Sequence, residues 1–293
     1  MTVEIRHIAC GLSENDLFLT AEFERVVSVW SLSRRALVAR FETVLDFGGR
    51  RLALLALPDP VVLAAAFDGG RVAAYDIHGE VMWERQDLHG AQTISPLQQG
   101  RAAVELERRS LQLIDASTGE PLGQLRGLGE VYADAGRPHV LGVSQGETDS
   151  AWIAYYESPG GKRRWKESLF SFGVLAAAFG SESVLVSEVA GPVRCFDLSG
   201  HEAWRWDPPR REHVTSLGWN RAAQAWVGVL FSYDSSDPQS VLQFDNEGSA
   251  SVLFHAEERW ETEEFFGGGD YVITSAGAVH ALPEGKTVWV FAA

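Results

Sequence analysis

The sequence is poor in cysteine, in basic residues and in long apolar runs, and each shortage excludes a class of protein. Its 293 residues contain only 2 cysteines, Cys10 and Cys195, too few for the disulfide framework of a small secreted domain. Lysine and arginine number 25 against 40 aspartates and glutamates, so the formal net charge is −15. Such a chain repels nucleic-acid phosphates and anionic lipids, so we expect no nucleic acid and no membrane as partner.

The apolar runs are too short to cross a bilayer. The longest, residues 61–67 and 174–179, fall far below the roughly 20 residues that a membrane-spanning helix needs. The N-terminus carries Glu4 and Arg6 where a secretory leader has an uninterrupted apolar stretch. We therefore expect a cytoplasmic protein.

Helical periodicity is also missing, because no stretch of a dozen residues places apolar side chains at i, i+3, i+4 and i+7. Short β-branched and aromatic runs alternate instead with turns rich in Gly, Asp, Ser and Asn. The clearest unit is an apolar run, an Asp-Gly turn and a second run that often contains Trp, as in VAAYDIHGEVMWER after Arg71. The turn glycines are spaced by 40, 42, 39, 48 and 37 residues, and they are Gly79, Gly119, Gly161, Gly200, Gly248 and Gly285.

This period indicates a β-propeller. A mean spacing of about 41 residues is typical of four-stranded blades and fits about seven times into 293 residues. We therefore predict an all-β fold, a single β-propeller domain over residues 1–293 with about seven four-stranded antiparallel blades. In each turn Gly supplies a positive φ and the preceding Asp accepts backbone N–H groups. A Trp four residues after the turn glycine is predicted to wedge between neighbouring sheets, at Trp83, Trp165, Trp204 and Trp289.

The two ends of the chain leave two modes of ring closure open. In the first mode, residues 278–282 and 287–291 form a complete hairpin, and the ring closes without a strand from the N-terminus. Alternatively, residues 3–5 pair along the outer edge of that blade. A strand count distinguishes the two.

The Asp-Gly turn followed by Trp resembles the quinoprotein-like (PQQ-like) repeat family. Residues 115–120 (DASTGE) are the closest copy of that turn, although Gly123 occupies its Trp position. The four-strand spacing also resembles WD40 blades, but the Trp-Asp pair occurs only once, at residues 206–207. The resemblance covers nearly the whole chain and implies blade architecture without defining a function.

No sequence pattern indicates catalysis or a metal site. The chain has no G-x-S-x-G, no P-loop and no G-x-G-x-x-G that opens a helix. Its eight histidines show no metal-ligand spacing, and no acidic cluster can be assigned as the calcium site of a quinone-dependent dehydrogenase. We therefore predict no catalytic residue, no metal and no cofactor.

Acidic residues gather in the loops, above all between the sixth and seventh predicted blades. Five glutamates surround Trp260 there, and the polar insertion 232–239 is expected on the same face. Such a segment is either a solvated acidic loop or an acidic contact surface with an aromatic anchor. The predicted partner-binding residues are Glu257, Glu258, Trp260, Glu261, Glu263, Glu264, Asp234 and Asp237.

Two classes of function fit these observations. The first is a non-catalytic protein-interaction module that binds a basic protein, for example an immunity-type inhibitor that neutralises a cationic toxin. The alternative is a propeller enzyme or small-ligand binder with its site at the axial mouth. The candidate positions for that alternative are Asp46, Arg50, Gln92, Thr93, Tyr132 and Asp134.

Overall fold

A computed structural model of the chain confirms the all-β prediction. It describes residues 5, 7–10, 16–21, 25–45, 52–55, 59–66, 70–91, 93–106, 110–134, 137–144, 151–159, 161–233, 239–257, 259–260, 263–266 and 269–291. Within these ranges it contains 28 strands and no helix, and the strands form seven four-stranded sheets. In every sheet each strand pairs antiparallel with the next one along the chain. The described ranges thus contain no helix long and apolar enough to span a membrane.

Each blade consists of four consecutive strands. Blade 1 comprises β1 (His7–Cys10), β2 (Leu17–Ala21), β3 (Val26–Ser31) and β4 (Ala36–Glu42), and blade 2 comprises β5 (Leu52–Leu55), β6 (Val61–Ala65), β7 (Val72–Tyr75) and β8 (Val81–Arg85). Blade 3 comprises β9 (Ile94–Leu97), β10 (Arg101–Leu106), β11 (Ser110–Asp115) and β12 (Pro121–Arg126), and blade 4 comprises β13 (Glu130–Ala133), β14 (Val140–Ser144), β15 (Trp152–Tyr156) and β16 (Arg163–Ser168). Blade 5 comprises β17 (Val174–Phe179), β18 (Ser183–Glu188), β19 (Val193–Asp197) and β20 (Glu202–Trp206), and blade 6 comprises β21 (Glu212–Asn220), β22 (Ala225–Ser232), β23 (Ser240–Phe244) and β24 (Ala250–His255). Blade 7 comprises β25 (Glu263–Phe266), β26 (Tyr271–Thr274), β27 (Ala278–Ala281) and β28 (Lys286–Val290).

The first strands of the blades form the closed inner ring of the propeller. β1, β5, β9, β13, β17, β21 and β25 each contact the first strand of the next blade, and β25 contacts β1. Among the described residues, the last blade is a complete four-stranded sheet made of β25 to β28, without an N-terminal strand. Residues 3 and 4 lie outside the described ranges, but Ile5 is buried against Ile273 and Val279 of that blade.

The burial of the strands explains why their sequences do not simply alternate. Every blade is packed between two others, so its middle strands are covered on both faces; β6 and β7 are buried at all positions. The outermost strands, such as β4 and β8, alternate between exposed and half-buried residues. The repeated runs of apolar residues therefore mark the second and third strands.

The Asp-Gly turns join the third and fourth strands in four blades by similar hydrogen bonds. In blade 5, Oδ1 of Asp197 accepts the backbone N–H groups of Ser199 (2.8 Å) and His201 (3.0 Å). Gly200 takes a φ of 98°, which strongly favours glycine. Asp76 and Asp245 accept the N–H groups two and four residues further on in the same way, and Asp115 accepts those two and three residues further on. Part of the negative charge of the chain therefore serves the turns.

The repeated Trp residues wedge between blades as predicted. Three of the four cover the turn glycine of the following blade, whereas Trp289 packs against Phe18 and Trp30 of blade 1. A Cβ atom added at Gly119, Gly200 or Gly248 would lie only 2.7–2.8 Å from the ring of a Trp of the preceding blade. The three pairs are Trp83 on Gly119, Trp165 on Gly200 and Trp204 on Gly248. Phe41 covers Gly79 and Phe254 covers Gly285 in the same manner. Because the turn residue is a glycine without a side chain, the aromatic ring of the preceding blade has room to pack against it.

The topology gives the propeller two distinct faces. The connector face carries the segments that join one blade to the next and the turns between second and third strands. The turn face carries the loops between first and second strands and the Asp-Gly turns. The predicted partner-binding residues belong to segments of the connector face.

Candidate interaction surface

The segment that joins blade 6 to blade 7, residues 257–264, is here termed the acidic connector. Glu257 and Glu264 are exposed, and Glu263 is half-buried at the start of β25. Glu258 and Glu261 lie outside the described residues, as do Asp234 and Asp237. Binding of a partner by these residues stays a prediction.

Trp260 is a core residue, which corrects the expectation of an accessible aromatic anchor. It is 3% exposed and packs against side chains of blades 6 and 7, namely Val229, Val241 and Val272. Its ring also lies 5.5 Å from that of His280. The indole is too large and apolar to stay in solvent when a gap between two sheets can take it. Trp260 therefore holds the middle of the acidic connector in place.

Gln239 ties the acidic connector to the polar insertion that precedes β23. Its side-chain Oε1 accepts the backbone N–H of Trp260, and its carbonyl oxygen accepts that of Ala256 at 2.8 Å. Gln239 is itself 3% exposed, so these bonds are shielded from water. The insertion that holds Asp234 and Asp237 therefore ends directly beside the connector.

Two carboxylates near the inner ring are held in a poorly solvated setting at the connector-face end of the blades. Glu263 accepts a hydrogen bond from the hydroxyl of Thr215 on the neighbouring first strand, and burial raises the pKa of its carboxyl. Glu105 accepts from the hydroxyl of Thr93 at 2.9 Å, and its pKa is raised by burial and by the nearby Glu130. Both sites disfavour the charged carboxylate and would gain from a neighbouring cation.

Of the six positions proposed for an axial enzyme site, the three that the structure describes do not gather at one end of the propeller. Thr93 precedes β9 at the connector-face end, whereas Asp134 follows β13 at the opposite end. Asp134 is 6% exposed and pairs with the guanidinium of Arg137 at 2.6 Å. Tyr132 is half-buried on β13, and Asp46, Arg50 and Gln92 lie outside the described residues. No group of three His, Cys, Asp or Glu residues that could hold a metal ion is found among the residues described.

A cleft of about 470 Å³ opens on the connector face between blades 5 and 6, and it is here termed the blade 5/6 cleft. Its volume lies in the range of small ligand pockets. Four segments line it: one before β17, one between β18 and β19, one around the connection from β20 to β21, and one that follows β22. The lining residues are Phe170, Ala190, Gly191, Pro192, Arg205, Asp207, Pro208, Pro209, Arg210, Arg211, Glu212, His213 and Tyr233.

Phe170, on one wall of the cleft, is fixed by a buried ion pair. The guanidinium groups of Arg194 and Arg205 lie over its ring, at 4.8 and 4.2 Å from the ring centroid, although 63% of the residue is exposed. Arg194 is 3% exposed and pairs with the fully buried Glu188 at 3.2 Å. Oε2 of Glu188 in turn accepts the backbone N–H groups of Phe170 and Ser171. The exposed ring is thus positioned by charges that are desolvated and paired.

Tyr233 lies on the other wall and is held by tilted and edge-to-face contacts with neighbouring rings. Its ring, on a residue 67% exposed, lies 4.8 Å from His213 and 5.8 Å from Phe231. The guanidinium of Arg259, from the acidic connector, covers the ring of Phe231 at 4.5 Å. The blade 5/6 cleft and the acidic connector are therefore parts of one continuous surface.

Comparisons with known proteins identify the fold and no family. No protein-family model matches the chain, and no curated protein sequence matches it. A chain of the structure titled "Structure of U3-55K" superposes with a TM-score of 0.66 at 11% identity, over 94% of this chain and 88% of that one. A chain of the "Crystal Structure of Mitotic Checkpoint Complex" gives 0.69 at 13% identity, over 94% of this chain and 86% of that one. The similarity supports a seven-bladed β-propeller fold with WD40-like structural neighbours, and the quinoprotein-like type is not confirmed.

The blade 5/6 cleft was not predicted from the sequence, although one signal for it was present. Pro208 and Pro209 read as loop punctuation, and Arg210 and Arg211 read as a basic interruption on the same face as the acidic loops. Two prolines stiffen a connector, however, and two adjacent cations are unusual in so acidic a chain. The exposure of Phe170 had no sequence signal, because it depends on the ion pair beneath the ring.

Proposed function

We propose that this propeller is a non-catalytic protein-interaction module that binds a basic protein on its connector face, at the acidic connector and the adjoining axial mouth. The fold similarity to propellers in a checkpoint complex supports a protein-binding role in general terms. The basic character of the partner is the finer part of the proposal, and it rests on charge. Cys10 and Cys195 are both free thiols, in keeping with the proposed cytoplasmic location.

The observation that carries the proposal is the way the acidic connector is held. Trp260 is buried in the middle of the segment, while Glu257 and Glu264 are exposed at its two ends. A segment fixed at its centre presents its charges with little loss of conformational entropy on binding. Glu263 and Glu105 add carboxylates whose charged form is disfavoured until a cation approaches. A lysine or arginine of the partner would relieve that cost.

The test is capture of a partner from the native host with the full-length protein as bait. The captured protein is identified by mass spectrometry, purified and titrated against wild type and against the double variant Glu257→Lys/Glu264→Lys. We expect a basic partner, loss of affinity of about tenfold or more in the variant, and weaker binding as the salt concentration rises.

A matched control changes the net charge equally on the opposite face. Glu120 and Glu247 are exposed in Asp-Gly turns, so Glu120→Lys/Glu247→Lys should leave partner binding intact. Equal losses in both double variants would reduce the effect to bulk charge and overturn the proposed surface. Retention of a neutral or acidic partner that ignores both changes would overturn it as well.

One concrete form of this module is an immunity-type inhibitor of a cationic toxin, whose support is the charge of the chain alone. The alternative class, an enzyme or small-ligand binder at the axial mouth, is favoured by the raised pKa values of Glu105 and Glu263. Native mass spectrometry separates the two classes: a metabolite retained at stoichiometric amount with no protein captured would support the alternative.

A further inference from the structure

We propose that the blade 5/6 cleft binds an extended, acidic segment of a protein partner, one that carries carboxylates beside proline or aromatic side chains. This inference rests on the proposed protein-binding function and assigns it a second contact of opposite charge. It concerns residues that lie next to the acidic connector and are joined to it through Arg259 and Phe231.

The first argument is the presence of two exposed aromatic rings that face a shared cleft. Phe170 and Tyr233 are 63% and 67% exposed, among the most exposed large apolar side chains in the described ranges. Both rings are supported by neighbours, since two guanidinium groups lie over Phe170 and the ring of Tyr233 makes a tilted contact with that of His213. Rings held rigidly at a surface bind with little further loss of entropy, which is a property of binding anchors.

The second argument is the shape and apolar content of the walls. Pro192, Pro208 and Pro209 line the cleft together with the two rings. Grooves built from aromatic and apolar side chains receive extended peptides, whose side chains enter them one at a time. A cleft of about 470 Å³ accommodates a few side chains and excludes a folded domain.

The third argument is local charge. Arg205, Arg210 and Arg211 line the cleft in a chain of net charge −15, together with two carboxylates, Asp207 and Glu212; Arg205 is already paired with Glu202 at 2.8 Å. Arg210 is exposed and forms no ion pair with any described residue. A guanidinium binds a carboxylate through two parallel hydrogen bonds. At contact distance this attraction outweighs the repulsion from the more distant negative charges of the chain. The cleft is therefore the part of this surface suited to an acidic side chain.

The test uses defined peptides and the full-length protein. A fluorescein-labelled peptide of repeated Glu-Pro-Phe triplets is titrated by fluorescence anisotropy, beside its Lys-Pro-Phe and Glu-Ser-Ser counterparts. We expect the Glu-Pro-Phe peptide to bind most tightly, because only that peptide satisfies both the cations and the rings. Arg210→Glu and Tyr233→Ala should each weaken its binding by about tenfold or more.

Matched variants guard against general effects of charge and folding. Arg34→Glu reverses an exposed cation on the turn face, and Phe172→Ala removes a ring that is 58% exposed but does not line the cleft. Both should bind the peptide like wild type. No binding of the Glu-Pro-Phe peptide, equal binding of the Lys-Pro-Phe peptide, or equal losses in the control variants would each overturn the inference.

Two further outcomes separate this inference from the proposed function and from self-association. If the captured basic partner still binds Arg210→Glu but not Glu257→Lys/Glu264→Lys, and the acidic peptide does not bind, the proposed function stands and the cleft inference falls. If sedimentation shows a wild-type dimer that Arg210→Glu dissociates, the occupant is a second copy of this chain, and an acidic partner segment is ruled out.

Discussion

Trp30 of blade 1 and Trp289 of blade 7 meet edge to face, with ring centroids 5.8 Å apart and an angle of 73° between the ring planes. Phe18 and Phe291 complete the cluster, at 5.2 Å from each other. No described strand crosses from one end of the chain into the blade of the other, so side-chain packing has to hold the two ends together. This aromatic cluster therefore closes the ring together with the contact of β1 with β25.

Trp289→Ala should consequently open the junction between the first and last blades. Truncating a packed Trp costs about 3 kcal/mol, and this ring contacts three other aromatic side chains. We expect a loss of about 2–4 kcal/mol in the free energy of unfolding, measured by denaturant titration. Hydrogen exchange should rise first in β1 to β3 and β26 to β28, the strands that meet at the junction.

The neighbouring Val290→Ala provides the control, because Val290 is 61% exposed on the same strand. Its effect should stay within about 0.5 kcal/mol. A Trp289→Ala protein as stable as this control would mean that the blades close by other contacts.

Gly200→Ala should destabilise the protein far more than an ordinary surface glycine substitution. The φ of Gly200 is 98°, and a new Cβ atom would lie 2.8 Å from the ring of Trp165. The positive φ and the forced displacement of the ring together should cost about 2–4 kcal/mol. Thermal unfolding of the variant, with Trp fluorescence as the probe, measures both the loss and the displaced indole.

Gly173→Ala is the matched comparison, since its added Cβ atom would meet Val189 at an ordinary 3.6 Å. We expect it to be nearly neutral. Equal destabilisation by both substitutions would show that the aromatic cover on the turn glycine has no special weight.

The fold was predictable from sequence because each blade repeats the same local chemistry. Asp197 and Gly200 fix their turn by hydrogen bonds and φ that involve only neighbouring residues, and such local rules leave a visible period. The wedge positions followed from the same register. The number of blades and the way in which the ring closes could be determined only from the coordinates. The sequence of residues 278–291 predicts a hairpin but does not indicate which residues pack against it.

The candidate site was less predictable, because its features depend on residues distant in sequence. Trp260 is of a residue type common among interface anchors, but it is buried because it packs between Val229 and Val272. The exposure of Phe170 likewise depends on Arg194 and Glu188, which belong to other strands. Charge and composition predict where a surface lies only when the packing around each large side chain is known.

Glu263→Gln should stabilise the protein at neutral pH and weaken partner binding. Burial raises the pKa of Glu263 above its ordinary value of 4.5, so the folded state carries a cost whenever the carboxyl is charged. Glutamine keeps an acceptor for the hydroxyl of Thr215 and removes that cost. We expect a higher melting temperature at pH 7, measured by calorimetry.

The pH dependence of that gain follows from the sign of the shift. As the pH falls through the folded-state pKa and then below 4.5, wild type binds the proton in the folded and then the unfolded state, and the advantage of the variant disappears. A gain that persists at pH 3, or partner binding that is unchanged by the substitution, would contradict the role assigned to this carboxylate.

Arg194→Met should destabilise blade 5 and release the ring of Phe170. The substitution leaves the carboxylate of Glu188, which is fully buried, without its cation, and removing one partner of such a pair costs about 3–5 kcal/mol. Glu188→Gln/Arg194→Met removes the uncompensated charge and should recover part of the loss. Arg164→Met serves as control, because its ion pair with Glu157 is exposed to solvent and Arg164 does not line the blade 5/6 cleft. Its stability should stay close to that of wild type.

Denaturant titration measures all three variants, and hydrogen exchange at the amides of Phe170 and Ser171 reports the loop. An Arg194→Met protein with the stability of Arg164→Met, and with those two amides still protected, would show that the ion pair does not position the ring.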